Sequence, residues 1–315
     1  MKHLLSPREV AAAIGVSEST LKRWTDDGLI RATRTAGGHR RIPINEAIRF
    51  VRESQARIVN PTILGLKDLE ELDGETPVGP SAREEQVHQA LVDGRASRVR
   101  GLVTSLFLDG VTVAELCDDV LAPCMQRIGE IWRHSDEGIF IEHRATDLCV
   151  QALNHLQGMI ELPEDAAVAV GGGPSKDPYL LGTLMAATCL ADAGIRAVNL
   201  GPDTPVASIL HAVDASDAAL AWLSVSAPAA PGLGDQVSDL ADELDKRGGC
   251  LVVGGRNVSR SDLALRPNVH VGRNMRELVA FARGVLVTRH VRGGPAAENA
   301  RVSGPAGESD GVTAS

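Results

Sequence analysis

Three groups of residues in this 315-residue chain carry side chains that could do chemistry. The first is Asp177, Tyr179, Gly182, Ser224, Ser226, Gly254 and Gly255, with 41 residues between Gly182 and Ser224 and 27 between Ser226 and Gly254. Ser224 and Ser226 offer hydroxyls to a buried nitrogen base or its linker, and Gly254-Gly255 lets a bulky ligand come close to the backbone. Tyr179 is the only tyrosine of the chain. Its phenol, with a reference pKa near ~10, can stack or hydrogen-bond, or can bind a metal that draws off its proton, as tyrosine does for haem iron in some proteins. The second group is Trp132, nine intervening residues, then Glu142-His143: a flat apolar surface, a carboxylate and an imidazole. The third is polar and basic, with Ser19, Lys22 and Arg23 in one run and Gly38-His39-Arg40-Arg41 in another. Cations of this kind neutralise phosphates, and polar tips read base edges.

The third group sits on short capped elements. Ser6-Pro7-Arg8-Glu9 is a capping box with proline at the first helical position, and Gly15 ends the helix it starts. Ser17 caps a second helix over Glu18–Asp26, stopped by Gly28. Two short helices around a three-residue turn make a helix-turn-helix, whose second helix presents Ser19, Lys22 and Arg23 to a major groove. Gly37-Gly38 marks a hairpin tip with His39, Arg40 and Arg41 on the return strand, a wing. Asn45 is expected to cap a third helix, and the spacing of Trp24 from Leu21 puts its ring on the buried side. Residues 1–58 form this head, and 59–80, rich in turn residues, read as a linker that lets it move.

The other two groups need a different frame. Apolar residues from Val113 to Ile131 and from Ile141 to Met159 recur at three and four residues, giving two long helices that end and begin around Trp132. Shorter periodic segments over 84–91 and 97–108 complete a four-helix bundle within 81–163. Residues 164–287 alternate apolar strand-length runs with helical segments, as a parallel α/β domain does. Ligands in such sheets bind at the carboxyl ends of strands, where Asp177–Gly182, Ser224–Ser226 and Gly254-Gly255 fall. The loop Gly171–Lys176 lacks the spacing of a nucleotide-binding P-loop, which excludes an NTPase. Residues 288–315 lack periodicity and read as a disordered tail.

The net charge of −9 divides unevenly, with +5 in residues 1–58 and −14 in the rest. A basic head on an acidic body attracts DNA locally. Five cysteines without a C-x-x-C pair read as small buried residues of a reducing compartment, which excludes a disulfide framework and a zinc site. No apolar run approaches membrane-spanning length, so a cytoplasmic protein with no membrane partner is expected.

The run Val16–Trp24 and the wing from Gly37 to Ile42 resemble the MerR family of winged-helix regulators. Asp177-x-Tyr179-x-x-Gly182, Ser224-x-Ser226 and Gly254-Gly255 are similar to the cobalamin-binding fold, whose pattern is D-x-H-x-x-G, S-x-L or S-x-T, and G-G. Tyr179 stands where that family has the histidine beneath cobalt, and Ser226 where Leu or Thr is usual. Trp132 with Glu142-His143 resembles the bundle motif of CarH-like light-responsive regulators. That resemblance implies a tryptophan over the adenosyl face of the cofactor, Glu142 and His143 lining the same space, and His143 able to reach cobalt after adenosyl loss. It implies adenosylcobalamin as cofactor and a tetramer that represses from promoter DNA.

The expectation is a non-enzymatic, DNA-binding transcriptional regulator, acting as a homodimer or homotetramer under a cobalamin-type sensor, with light as an input through adenosylcobalamin. Cobalamin held without a lower protein ligand, a pocket reused for another ligand, and an empty module controlled by a protein antagonist all remain open. A corrinoid methyl carrier is the enzymatic alternative, and it has no use for a basic head.

Overall fold

The computed structural model describes residues 4–72, 80–131, 136–228, 230–258 and 266–292. Its first part is a winged helix-turn-helix. Ser6 accepts from the Glu9 amide while the Glu9 carboxylate accepts from Ser6, which starts α1 (Pro7–Ile14), and Gly15 closes it at φ 74°. Ser17 caps α2 (Glu18–Asp26) through the Thr20 amide. β1 (Leu4–Leu5) and β2 (Thr33–Arg34) flank β3 (Arg40–Pro43), and both pairings are antiparallel. The wing tip turns at Gly38, whose φ of 77° favours glycine. Trp24 packs on the core, 5.1 Å from the Phe50 ring.

α3 (Ile44–Ser54) does not use the expected cap. It begins one residue before Asn45, directly after Pro43, and no side chain caps it. Glu46, buried in its first turn, instead accepts from the Arg31 amide at 2.7 Å, from Arg31 Nε at 3.0 Å and from Arg49 Nε at 2.9 Å. One carboxylate thus ties the helix start to the strand leading into the wing.

The stretch expected to be a slack linker is packed as far as it is described. Two 3₁₀ turns, Pro61–Leu64 and Lys67–Leu72, lie along the bundle with Leu64 and Leu66 buried. Asp68 receives Arg100 Nε at 2.9 Å, and a side chain at Gly101 would meet the Asp68 carbonyl at 2.5 Å. Residues 73–79 lie outside the described residues.

The bundle is α4 (Pro80–Asp93), α5 (Ala96–Leu108), a broken third rod and α8 (Asp136–Met159). The third rod, read from the sequence as one helix, is α6 (Val113–Leu116), a π-turn (Cys117–Leu121) and α7 (Ala122–Ile131). Pro123 has no N–H to give, so the ladder widens ahead of it and the Ala122 amide reaches back to the Cys117 carbonyl.

The last part is a five-stranded sheet in the order β5 (Arg196–Asn199), β4 (Val168–Gly172), β6 (Leu220–Ser224), β7 (Cys250–Gly254), β8 (Val269–Val271), with every pair parallel. This is flavodoxin-like order. α9 (Leu180–Asp192) and α12 (Met275–Arg292) cover one face around Trp222, while α10 (Val206–Ser216) and α11 (Leu233–Lys246) cover the other. α12 runs to Arg292, past the expected boundary at 287, and the remaining tail lies outside the described residues. One core is continuous from the head through the bundle to Leu184, Met185 and Cys189 of α9.

Candidate functional site

On the head, Ser19, Lys22, Arg23 and His39 are exposed. Lys22 pairs with Glu18 at 2.7 Å on the helix surface, a contact worth little in water. Among the described residues the Arg23 and His39 side chains have no hydrogen bond or ion pair, so both are free to meet a phosphate. Arg40 is committed differently: it bridges to Asp26 at 2.5 Å and ties the wing to the end of α2. Arg41 is half-buried and donates to the Arg40 carbonyl at 3.2 Å. Ser19, α2 and the Gly38 tip therefore present one polar, basic surface set by two caps and one ion pair.

At the carboxyl edge of the sheet the chain brings Asp177, Gly182, Ser224, Ser226 and Gly255 together. Asp177 is 2% exposed. Its carboxylate accepts from the amides of Tyr179 (3.1 Å), Ser226 (2.5 Å) and Ala227 (2.9 Å), so it fastens the β4–α9 loop to the loop after β6. A side chain at Gly182 would lie 2.5 Å from Ser224 Oγ and 3.1 Å from Ser226 Oγ. Gly255, at φ 118°, leaves room for the Val225 carbonyl, which a Cβ would approach to 2.2 Å. Gly254 is near the Gly272 carbonyl. The Ser224 and Ser226 hydroxyls make no hydrogen bond among the described residues. Behind them Trp222 Nε1 donates to Thr183 at 3.1 Å, and Thr183 donates to Asn199 at 2.9 Å, which locks α9 to the sheet.

Tyr179 immediately precedes α9 and is 45% exposed, with the Arg256 guanidinium 5.5 Å from its ring centroid. On the bundle, Glu142 is half-buried and His143 exposed, and neither side chain has a partner among the described residues. Ile139 and Phe140, one turn earlier, are exposed large apolar side chains. Among the described residues no hydrogen bond or ion pair joins Glu142 or His143 to the sheet-edge residues, and Trp132 lies outside the described residues.

Residues 6–42 match the MerR family regulatory protein, and residues 83–157, spanning α4 to α8, match the B12 binding domain. Over 214 residues the chain is 27% identical to the HTH-type transcriptional repressor CarA of Myxococcus xanthus, covering 64% of this chain and 69% of the relative. The chain is a transcriptional regulator that joins a MerR-type DNA-binding domain to a B12-binding domain. The regulator also shares its fold with the monomethylamine corrinoid protein of Methanosarcina barkeri, at a TM-score of 0.50 and 17% identity over 65% of this chain and 98% of the other. No described helix of the regulator is long and apolar enough to cross a membrane.

The donor set of the regulator suits the periphery of a corrinoid better than its metal. Two unspent hydroxyls, close-approach glycines and the unpaired Glu142 and His143 are suited to the amide-rich rim of such a ligand. At position 179 the chain has a phenol with the Arg256 guanidinium against its ring. In metal sites a carboxylate often fixes the tautomer of a ligating histidine. The Asp177 carboxylate is held by three backbone amides, two on Oδ2 and one on Oδ1. Arg256 was not foreseen from the sequence. A cation directly after the glycine pair at a strand end was the available signal. Thr183 and Asn199 carried none.

Proposed function

We propose that the regulator is a non-enzymatic repressor whose assembly on promoter DNA is controlled by adenosylcobalamin, held without an imidazole beneath the cobalt. The observation that carries this is one chain holding both a basic winged head with a free Arg23 and a sheet edge with two unspent hydroxyls facing Gly182. Ser224 and Ser226 would bind the nucleotide tail, Gly182, Gly254 and Gly255 would admit it, and Trp132, Glu142 and His143 would be the bundle's contribution to holding the cofactor. Tyr179 and Arg256, stacked on each other, would offer the ligand a flat, cationic surface. The bound cofactor supplies a light-cleavable cobalt–carbon bond. The homodimer or homotetramer places several heads on one duplex, so that modest changes in assembly become large changes in occupancy. The missing imidazole speaks against a methyl carrier.

A second reading is favoured by Asp177 being held by three backbone amides: the module binds a different ligand or none, and a protein antagonist controls the head. The discriminating experiment selects a duplex from a random library with the full chain, then measures its affinity in the dark with and without adenosylcobalamin. The first reading predicts a gain of about tenfold or more with the cofactor. Equal affinity and equal oligomeric state in both samples support the second.

A further inference from the structure

α9 carries the candidate ligand edge at one end and a contact to the DNA-binding head at the other. Its last residue is Asp192, whose side chain is 7% exposed. That carboxylate accepts from Arg52 of α3 at 2.6 and 3.4 Å, and from the Val113 amide at the start of α6 at 2.9 Å. The Arg52 guanidinium also lies 3.9 Å from the Phe107 ring centroid and donates to the Val111 carbonyl at 3.2 Å. Head, bundle and α/β domain therefore meet on one ion pair.

We propose that Asp192 and Arg52 form a latch that fixes the DNA-binding head on the body, and that α9 links the state of this latch to the ligand edge. The second half rests on the reading of Tyr179–Gly182 as ligand-binding given above. Two features fit the latch. Removing either partner of a largely buried pair strands the other charge, so the contact has a closed state and an open state with little between. The recognition face of α2 stays exposed while the latch is closed, so the latch sets where the head points and not whether it is covered. A body that fixes the direction of its head decides whether two heads of an assembly can reach neighbouring half-sites.

Two more features fit the link. Thirteen helical residues make a rod of roughly 20 Å, and this one has no slack on either side. At its start a side chain at Gly182 would meet Ser224 Oγ at 2.5 Å, Leu184 and Met185 enter the bundle core, and Leu190 enters the sheet core. Close-packed interiors transmit displacement instead of absorbing it. A group pressed between Gly182 and Ser224 displaces α9 along with Asp192.

The test uses the full chain in a Cys250→Ser background, with spin labels on Ala36→Cys at the wing and Ala215→Cys at the end of α10. Pulsed electron resonance without cobalamin reads the distance distribution between head and α/β domain. Arg52→Ala and Asp192→Asn should each broaden it about twofold or more, and the double variant should be no broader than either. Arg52→Lys, which keeps the charge and loses the fork, should broaden it as well and serves if the alanine variant does not fold. Unchanged widths in the single variants, or effects that add, overturn the latch. Gly182→Ala, still without ligand, should shift the mean distance, and an unshifted mean overturns the link through α9. Adenosylcobalamin is added last. Retained colour with an unmoved distance overturns the link, whereas a protein that retains no colour overturns the proposed function and leaves the latch standing.

Discussion

Replacing Asp177 tests whether this carboxylate serves the fold or the ligand. A hydrogen bond to a charged acceptor contributes about 1.5–3 kcal/mol net, and Asp177 accepts three, all from backbone amides. Ala227 and Ser226 are half-buried, so water reaches part of what is exposed by truncation. Asp177→Ala should then cost about 3–5 kcal/mol. Asp177→Asn is the sharper variant. Its amide nitrogen, placed on the Oδ2 side, confronts two N–H donors, and flipping it only moves the conflict to the Tyr179 amide. The flipped asparagine should therefore lose the Tyr179 bond and the charge assistance of the other two, less than the alanine loses but well above the noise of a melting curve. For a unit of this size a loss of 3–5 kcal/mol lowers the melting temperature by about 10 °C or more. Differential scanning calorimetry of the cobalamin-free protein measures it, and faster exchange of the Ser226 and Ala227 amides localises it. An Asp177→Asn protein that melts within about 2 °C of wild type would refute the reasoning and return the carboxylate to the ligand.

Three further outcomes follow from the same geometry. Burial works to raise the Glu46 carboxyl, but hydrogen bonds from Arg49 and from the Arg31 backbone and side chain outweigh it and hold it below the usual carboxylate range. The stability it contributes is complete above the unfolded value near ~4.3 and is lost as pH falls through the lower folded value, so Glu46→Gln should remove part of the acid-side slope in a melting-temperature series across that window. Arg23→Ala should weaken binding to duplexes of any sequence and lower the slope of log affinity against log salt by about one unit; an unchanged slope would take Arg23 off the phosphate backbone. Tyr179→His puts an imidazole at position 179, and the illuminated photoproduct should decay more slowly than in wild type when followed by absorbance. Equal decay would show that the residue at 179 does not face the cofactor.

The parts legible in the sequence were those set by local chemistry. Ser6, Ser17 and the Gly38 tip fixed the head because capping and positive φ act over a few residues. Strand-length apolar runs placed the sheet, and glycine and serine at strand ends placed its edge. Long-range chemistry stayed hidden. Glu46 holds the start of α3 through Arg31, fifteen residues away, which no capping rule for Asn45 anticipates. Pro123 was the visible warning that the third rod could not be one helix, yet the three- and four-residue spacing of its apolar stripe survives the π-turn and masked it. The stretch 59–72 has the composition of a linker and the burial of a strap, because Leu64, Leu66 and Asp68 find partners only after the bundle has formed. The three backbone amides that hold Asp177 come from two loops, a contact that no spacing reveals.

The central claim is that the chain binds a corrinoid although Tyr179 stands in the imidazole position. The most direct measurement is the absorbance spectrum of protein purified in the dark, incubated with adenosylcobalamin and desalted. Retained corrin bands that change on illumination are the expected result. A colourless protein after desalting would contradict it.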